Sequence, residues 1–400
     1  MLKKFRVAQV VTSINCEIGG PAISVPYLAE HLLYEDLACY LLTLNYANKG
    51  KQTPVNCSIN FHSHSVSAII PRLRGFSFKL QNDLHTLAST SIDLIHNHGL
   101  WMFPNLYARQ AAVRNKLPLI ISPRGMLESW SLKQSWHKKW LAWFLYEQRN
   151  LKNATIFHAT SDEEAQSIRK LGFKQPIALI PNGVNIPLLE EQSSKEVLVQ
   201  RFPQLSNKRW LVFLSRIHPK KGINNLLYVW HSLAAQFPEW HLIIAGPDLI
   251  GYQANLEVLV EKFNLKHQVT FTGMLSGNYK SSALNNGDLF VLPTHSENFG
   301  IVIAESLAYG LPVITTKDAP WEDLQLHKCG WWIENNQQAL YMSLNQAMNM
   351  SPKERREMGL RGRNLVATKY SWNFIAKDMA NVYRWVLGDE NTPNCIQFDH

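Results

Sequence analysis

The sequence predicts an α/β chain of two doubly wound, Rossmann-like domains of similar size. Three observations carry this. Short runs rich in Val, Ile and Leu alternate with longer stretches of helical apolar spacing, the rhythm of βαβ units in a parallel sheet. That rhythm stops at the polar stretch Glu190–Glu196 and restarts at Trp210. At 400 residues the chain exceeds one core of ordinary size, so two domains are the default.

Taken in order, the first set of strands is Phe5–Ile14, Tyr40–Leu44, Ile92–His96, Leu119–Ser122, Ile156–Ala159 and Ile177–Ile180. Helical spacing fills gaps such as Ala22–Leu33 and Asn105–Arg114. Pro181-Asn-Gly183, Pro187 and the polar stretch after them place the boundary, giving domains 1–185 and 186–371. The second set of strands is Trp210–Ser215, His241–Ala245, Val269–Thr272, Leu289–Leu292, Val313–Thr316 and Trp331–Ile333. Helices are expected at Asn224–Ala235, Tyr252–Phe263, Ile301–Tyr309 and Gln338–Met348. Lys353–Leu387 reads as two helices split near Tyr370-Ser371. Sheets of this kind bind ligands outside the carboxyl ends of their strands, and a cleft between two such domains is the expected site.

Composition narrows the class. Hydrophobic residues make up 46% and charged residues 18%, which suits a globular chain and not a disordered one. The absence of a 20–50-residue repeat removes solenoids and propellers. The first apolar run ends at Thr12-Ser13-Ile14-Asn15 with no small-residue cleavage site, so it reads as a buried strand and not a signal peptide. The densest apolar segment, Trp140–Tyr146, is bounded by charge and too short to span a membrane. Five cysteines, odd in number and without metal-ligand spacing, fit a reducing cytosol. The formal charge is +9, and residues 1–180 hold all of it: 20 Lys/Arg less 11 Asp/Glu there, against 20 less 20 in residues 181–400. A basic half suggests an anionic partner, a phosphate or a membrane surface. No nucleic-acid motif accompanies it, and no nucleic-acid partner is expected.

The richest segment runs from Leu289 to Thr316. It reads as a buried strand, a polar loop with Glu297, a helix opening near Phe299-Gly300, a Gly310 cap and a second buried strand. The first amides of a helix lack intrahelical acceptors and its dipole favours an anion. Gly300 would let a phosphate approach the backbone. Glu305 lies in the second turn, about 7 Å along the axis at ~1.5 Å per residue. Two carboxylates so placed can touch different ends of one ligand; equally, they can be a helix-start charge and a salt-bridge partner.

The segment resembles the E-x7-E signature of the retaining family 4 glycosyltransferases of GT-B fold, with Glu297 and Glu305 at that spacing and Asn298-Phe-Gly300 in the glycine-containing stretch. Asp288–Leu292, Ala304–Ala308 and Gly310-Leu-Pro-Val-Ile follow the same order. Ser215-Arg216-Ile-His-Pro-Lys220-Lys221-Gly222 resembles the segment in which an Arg and a Lys hold the donor diphosphate, roles that would fall to Arg216 and Lys221; a solvated basic turn is the plainer reading. Two cations there would neutralise the phosphates and stabilise the nucleotide leaving group without a metal. Ile244-Ala-Gly246 and Phe271-Thr-Gly273 are further landmarks, with Met274-Leu275 a candidate for base contact. By the resemblance, Glu305 would accept from the ribose hydroxyls, Glu297 would lie beside the transferred sugar, and the amides of Phe299, Gly300 and Ile301 would hold sugar hydroxyls or phosphate. The implied fold is GT-B, two Rossmann-like domains facing across a cleft, with a C-terminal helix at 372–388 returning onto the first. The implied activity is retaining, metal-independent transfer from a nucleotide-diphosphate sugar to a glycan or lipid-linked acceptor. No cofactor is implied, and surface polysaccharide or glycolipid synthesis is the expected setting.

In the first domain Gly19-Gly20 resembles the family's loop near donor phosphate and acceptor, though a Gly-Gly pair is also a simple turn. Asp93-Leu-Ile-His96-Asn-His98-Gly99 resembles an Asp-x-x-His-x-His stretch. His96 reads as a buried hydrogen-bonded histidine and His98 as the candidate facing the cleft. Arg124 stands where many members carry His; it cannot shuttle protons near neutral pH but can clamp a carboxylate or phosphate. The basic aromatic segment 130–146 reads as one helix with Trp136, Trp140 and Trp143 on a face, either packed on the sheet or resting on an anionic membrane. The latter would place the protein in the cytoplasm on the inner face of the cell membrane. A sugar-nucleotide epimerase, a sugar phosphorylase of the same fold and a non-catalytic sugar-nucleotide-binding scaffold are the alternatives.

Overall fold

A computed structural model describes residues 4–46, 48–66, 75–133, 136–188, 193–389 and 391–399. Two compact units result: Met1–Gly183 with Trp372–His400, and Val184–Ser371. Among the described residues the strands are β1 (Arg6–Ser13), β2 (Ala38–Asn45), β3 (Asn60–Ser65), β4 (Leu94–His98), β5 (Leu119–Ser122), β6 (Ile156–Ala159), β7 (Ile177–Leu179), β8 (Arg209–Leu214), β9 (Trp240–Ala245), β10 (Val269–Gly273), β11 (Leu289–Leu292), β12 (Val313–Thr316), β13 (Gly330–Ile333) and β14 (Ile396–Gln397).

The first unit orders its strands β14-β7-β6-β5-β4-β1-β2-β3, the second β10-β9-β8-β11-β12-β13. All pairings are parallel except β14 on β7. Parallel sheets are covered on both faces, which is why their strands are continuously apolar. The alternation of β1 shows it: Ala8 and Val10 enter one core with helices Phe78–Thr90 and Phe103–Asn115. Val7 and Val11 enter another with helices Gly20–Leu32 and Trp372–Val386. The C-terminal helix therefore completes the first unit, and Arg384 Nη2 ties it to Glu35 O at 2.7 Å.

Each sheet reverses its strand order at one place, β1 beside β4 and β8 beside β11. Both seams carry the same device. Asp93, just before β4, accepts from the Arg6 amide at 2.9 Å; Asp288, just before β11, accepts from the Trp210 amide at 3.0 Å. The carboxyl ends of the paired strands at such a reversal are where doubly wound sheets hold ligands.

Three features depart from the sequence reading. β3 and β14 are edge strands, and neither bears a run of apolar β-branched residues. Segment 130–146 is not regular α-helix throughout: among the described residues it holds Ser129–Lys133, Trp136–Ala142 and a π-helical turn Trp143–Glu147, with 134–135 outside the described residues. The widened turn aims two successive side chains at one loop, Tyr146 OH donating to Trp101 O at 2.8 Å and Glu147 Oε2 accepting from Trp101 N at 2.9 Å. The tryptophan face does not pack on the sheet. Trp136 and Trp140 are 65% and 60% exposed, beside exposed Leu141, Phe144 and Leu145, and only Trp143 turns inward. No helix among the described residues is long and apolar enough to cross a membrane.

Candidate active site

In the second unit, the reversal point brings together the loops after β8 and β11. The first carries Arg216, Lys220 and Lys221; the second carries Glu297, Asn298 and Phe299. Lys220 O accepts from His295 N at 2.7 Å and Thr294 Oγ1 at 3.2 Å, locking the loops together. Gly222 sits at φ +70°, and a Cβ there would meet Pro293 O at 1.8 Å, so only glycine allows this approach. Lys221 is 5% exposed and its Nζ pairs with Glu297 Oε1. The Glu297 amide donates to Asp318 O at 2.9 Å, which fixes the carboxylate's base. Arg216 is exposed at the same loop. His218 is held below the ordinary histidine pKa, first by burial and then by the cations Arg216, Lys221 and Lys220.

Gly300 is left-handed, φ +77°, and caps the helix Ile301–Ala308, whose first amides open beside Glu297. The Phe299 ring is buried against Trp321 and Tyr370, with centroids 5.3 and 5.7 Å away, so its side chain anchors the loop. Its carbonyl accepts from Trp321 Nε1 at 2.5 Å. Asn298 and Ile301 are half-buried on either side of this anchor. Glu305 pairs with Lys280 Nζ at 2.6 Å, both side chains about a quarter exposed or less. Lys280 was not singled out from the sequence; its one signal is a cation on the helix after the Phe271-Thr-Gly273 landmark. Met274 is exposed and Leu275 buried, so only the former can meet a ligand.

The first unit's reversal point is built differently. Gly19, at φ +119°, turns the chain after β1 into helix Gly20–Leu32, with Pro21 in its first turn. His98 ends β4 but does not face an open surface: it is 1% exposed, because a chain of hydrogen bonds draws it inward. A guanidinium can only donate, so Arg124 Nη2 donates to His98 Nδ1 at 3.0 Å. His98 therefore holds its proton on Nε2 and donates to Gln9 Oε1 at 2.7 Å. Gln9 Nε2 donates to Tyr383 OH at 2.8 Å, and Tyr383 to His96 Nδ1 at 2.7 Å. His96 Nε2 donates to Ser122 Oγ and Ser122 to His158 Nδ1, both at 2.7 Å. The relay ends at Ile180 O, which accepts from His158 Nε2 at 2.8 Å.

A donor-only group at one end and a carbonyl at the other fix every tautomer between. All three imidazoles are neutral. Burial holds His158 at about 3 and His96 and His98 well below the ordinary value, with neighbouring His and Arg124 charge acting the same way. Arg124 itself, at φ +57°, is lowered by burial to about 10, against the pull of Glu164. Its Nη1 donates to Asn182 Oδ1 at 2.7 Å, and its buried Nε–H meets no acceptor among the described residues. Buried Glu164 holds the left-handed loop by accepting from Gly125 N at 2.6 Å. Glu147, buried under the loop after β4, is pushed up by burial to about 7; no sequence signal marks it.

A model described as Glycosyltransferase Family 4 matches residues 18–187, and one described as Glycosyl transferases group 1 matches residues 194–365. The chain belongs to the family 4 glycosyltransferases of GT-B fold. This glycosyltransferase is 21% identical over 316 residues to the GDP-mannose:cellobiosyl-diphosphopolyprenol alpha-mannosyltransferase of Xanthomonas campestris, with 78% of each chain covered. It is 28% identical over 237 residues to an uncharacterized glycosyltransferase of Bacillus subtilis, 59% of this chain and 61% of that one. It is 25% identical over 186 residues to another from Methanocaldococcus jannaschii, 44% and 45%. The matched stretch thus spans about half the length of these last two curated relatives. Among solved structures, sucrose-phosphate synthase from Thermosynechococcus elongatus superposes with TM-score 0.75 at 19% identity, covering 97% of this chain and 100% of that one. Anabaena HepE in complex with UDP and glucose gives 0.73 at 16%, covering 95% and 100%. These likenesses show the fold.

Proposed function

We propose that this glycosyltransferase moves a sugar from a nucleotide-diphosphate donor to a glycan or lipid-linked acceptor, with retention at the anomeric carbon and without a metal. The observation that carries the reading is the second unit's reversal point, where the loop bearing Arg216 and Lys221 is locked to the loop that leads through Glu297 into a glycine-capped helix start, with Glu297 and Glu305 each paired to a lysine. Arg216 and Lys221 would neutralise the diphosphate as the bond from the anomeric carbon to the phosphate oxygen breaks. Lys221 would then be shared between Glu297 and the phosphate. The amides of Phe299, Gly300 and Ile301 would hold phosphate or sugar hydroxyls. Glu305, oriented by Lys280, would accept from the ribose hydroxyls. Gly19 and Gly20 would bring backbone close to the donor phosphate or the acceptor.

Arg124 would offer its spare Nε–H to an anionic group of donor or acceptor. His98, with Nδ1 committed to Arg124, would act as a positioning residue and not as a base. HepE bound to UDP-glucose and the Xanthomonas enzyme's polyprenol-linked acceptor support this substrate class. The exposed Trp136, Trp140, Phe144 and Leu145, beside Lys138 and Lys139, would rest on an anionic membrane carrying such an acceptor, on its cytoplasmic side. Surface polysaccharide or glycolipid assembly is the corresponding role.

The test is turnover of UDP-, GDP-, ADP- and TDP-sugars followed by NMR of the product anomer. Chelator-treated protein should release one nucleoside diphosphate, keep the donor's anomeric configuration, and gain nothing from added Mg²⁺ or Mn²⁺. Inversion, or a strict need for either ion, would overturn the mechanism. Epimerised donor without nucleotide release would favour the epimerase reading.

A further inference from the structure

We propose that His62, His64 and Asp83 form a binding site for a divalent late transition ion of the zinc class. The site lies on the outer edge of the first sheet. β3 is the edge strand, and alternation along it puts His62 and His64 on one face, in register with Leu42 and Leu44 of β2. That face is covered by helix Phe78–Thr90, whose Leu80 and Leu84 share a core with Leu42 and Leu44. The same helix delivers Asp83. Its Oδ2 lies 2.8 Å from His62 Nδ1 and 2.8 Å from His64 Nε2. The three atoms lie within 4.8 Å of one another, and no other such group of His, Cys, Asp or Glu occurs among the described residues.

Two imidazole nitrogens are borderline donors that suit Zn²⁺, Co²⁺ or Ni²⁺ and not Mg²⁺ or Ca²⁺, and a carboxylate oxygen is a common third ligand to zinc. Ligand bonds of about 2.0–2.2 Å around one ion set ligand atoms roughly 3.3 Å apart at tetrahedral angles. The two nitrogen–oxygen separations of 2.8 Å therefore open by about half an ångström, and the two nitrogens, within 4.8 Å of each other, settle to the same spacing through small side-chain rotations. Without an ion, both rings direct an N–H at the same oxygen. An ion takes the place of those two protons, and each neutral ring moves its proton to its other nitrogen. Side-chain exposures of 28%, 19% and 24% leave a fourth position for water. The His62 ring is also placed by Tyr40, centroids 6.2 Å apart. The ion would staple an edge strand to the helix that covers it, in a part of the molecule separate from Arg216, Lys221, Glu297 and Glu305. It is independent of the donor-site reading.

The test uses tag-free full-length protein with ZnCl₂ and CoCl₂ as probes, because 15 histidines make weak adventitious binding certain. The wild-type chain should retain one equivalent of Zn²⁺ through desalting and melt higher with it. Co²⁺ should give the visible bands of a low-coordinate nitrogen–oxygen site. His64→Gln keeps an N–H donor and Asp83→Asn keeps an acceptor oxygen, so both should melt like the metal-free wild type. Each should weaken Zn²⁺ binding about tenfold or more and erase the cobalt bands. X-ray absorption of the zinc-loaded wild type, which needs no variant, should show two imidazoles and oxygen at about 2.0 Å. Failure to retain zinc, unchanged affinity in both variants, or sulfur or fewer imidazoles around the ion would each overturn the site.

Discussion

The two units share the strand order around their reversal points and one carboxylate device, yet they finish those points with opposite electrostatics. In the second, charge is kept: Lys221 faces Glu297, Lys280 faces Glu305, and Arg216 stands exposed. In the first, charge is nearly removed: neutral histidines, Gln9, Ser122 and Tyr383 run from a single guanidinium to a carbonyl. The contrast teaches that topology places a site but does not decide its chemistry. Side chains around equivalent strand ends make one suited to a polyanion and the other a fixed, buried hydrogen-bond network.

The largest expected effect separates charge from fold. Arg216→Ala removes an exposed cation and should cut nucleotide release about 10²–10³-fold while leaving the melting temperature unchanged. Lys221→Ala should lose as much activity and also cost about 1–3 kcal/mol of stability, because it empties a buried site and leaves the half-buried Glu297 without its partner. Steady-state kinetics beside chemical denaturation would distinguish them; equal stability losses would break the contrast.

The next effect is the pH dependence of stability, which should be concentrated in the first unit. His96, His98 and His158 have folded pKa values depressed below the unfolded 6.5, so the stability they give is present above 6.5 and lost as pH falls. For His158 the loss continues to about 3. Glu147 acts oppositely: its folded value, raised to about 7, gives stability present below 4.5 and lost as pH rises. Three protons less one leaves a net uptake of about two on unfolding near pH 5–6, a loss of roughly 3 kcal/mol per pH unit. The second unit has one comparable histidine, His241, depressed by burial to about 4. Hydrogen exchange resolved by segment should show β4–β6 losing protection on acidification faster than β8 and β9. Equal losses would mean that the relay histidines already hold protons in the fold.

Two smaller effects sharpen the comparison. Tyr383→Phe deletes the hydroxyl between Gln9 and His96, and should cost about 1–3 kcal/mol by leaving buried polar atoms unpaired. Affinity for the free nucleotide should stay near wild type, since Tyr383 bonds Gln9 and His96 and none of Arg216, Lys221 and Glu305; denaturant unfolding and nucleotide titration read the two. Trp140→Ala removes an exposed ring and should change stability by less than about 0.5 kcal/mol while weakening pelleting with anionic vesicles at low salt. Undiminished pelleting would move the membrane contact elsewhere.

The alternating strands and the doubly wound class were legible because a buried parallel sheet demands apolar runs, as in Leu289–Leu292 and in Val7–Val11, where Gln9 alone is polar. β3 was not: an edge strand with a polar face reads Asn-Phe-His-Ser-His-Ser, with no run to notice. The Glu297–Glu305 spacing was legible, but its cations were read only in part. Lys221 lies in a local motif, whereas Lys280 reaches Glu305 from 25 residues away in sequence. The relay was invisible for the same reason, since Gln9 and Tyr383 are separated by 374 positions. The tryptophan stripe could not reveal its environment, because the same spacing serves a core face or an exposed one. The π-helical turn at its end brings Tyr146 and Glu147 to Trp101, which is distant in sequence.

The most direct test of the account is a titration of UDP, GDP, ADP and TDP against the wild-type protein and Glu305→Ala, followed by thermal stabilisation. A ligand that binds only the folded state stabilises it by RT ln(1 + [L]/Kd). One nucleotide should raise the wild-type melting temperature, and Glu305→Ala should lose most of that shift while its ligand-free melting stays close to wild type. No shift with any of the four at millimolar concentration, or an equal shift in the variant, would contradict the placement of the donor at the second unit's reversal point.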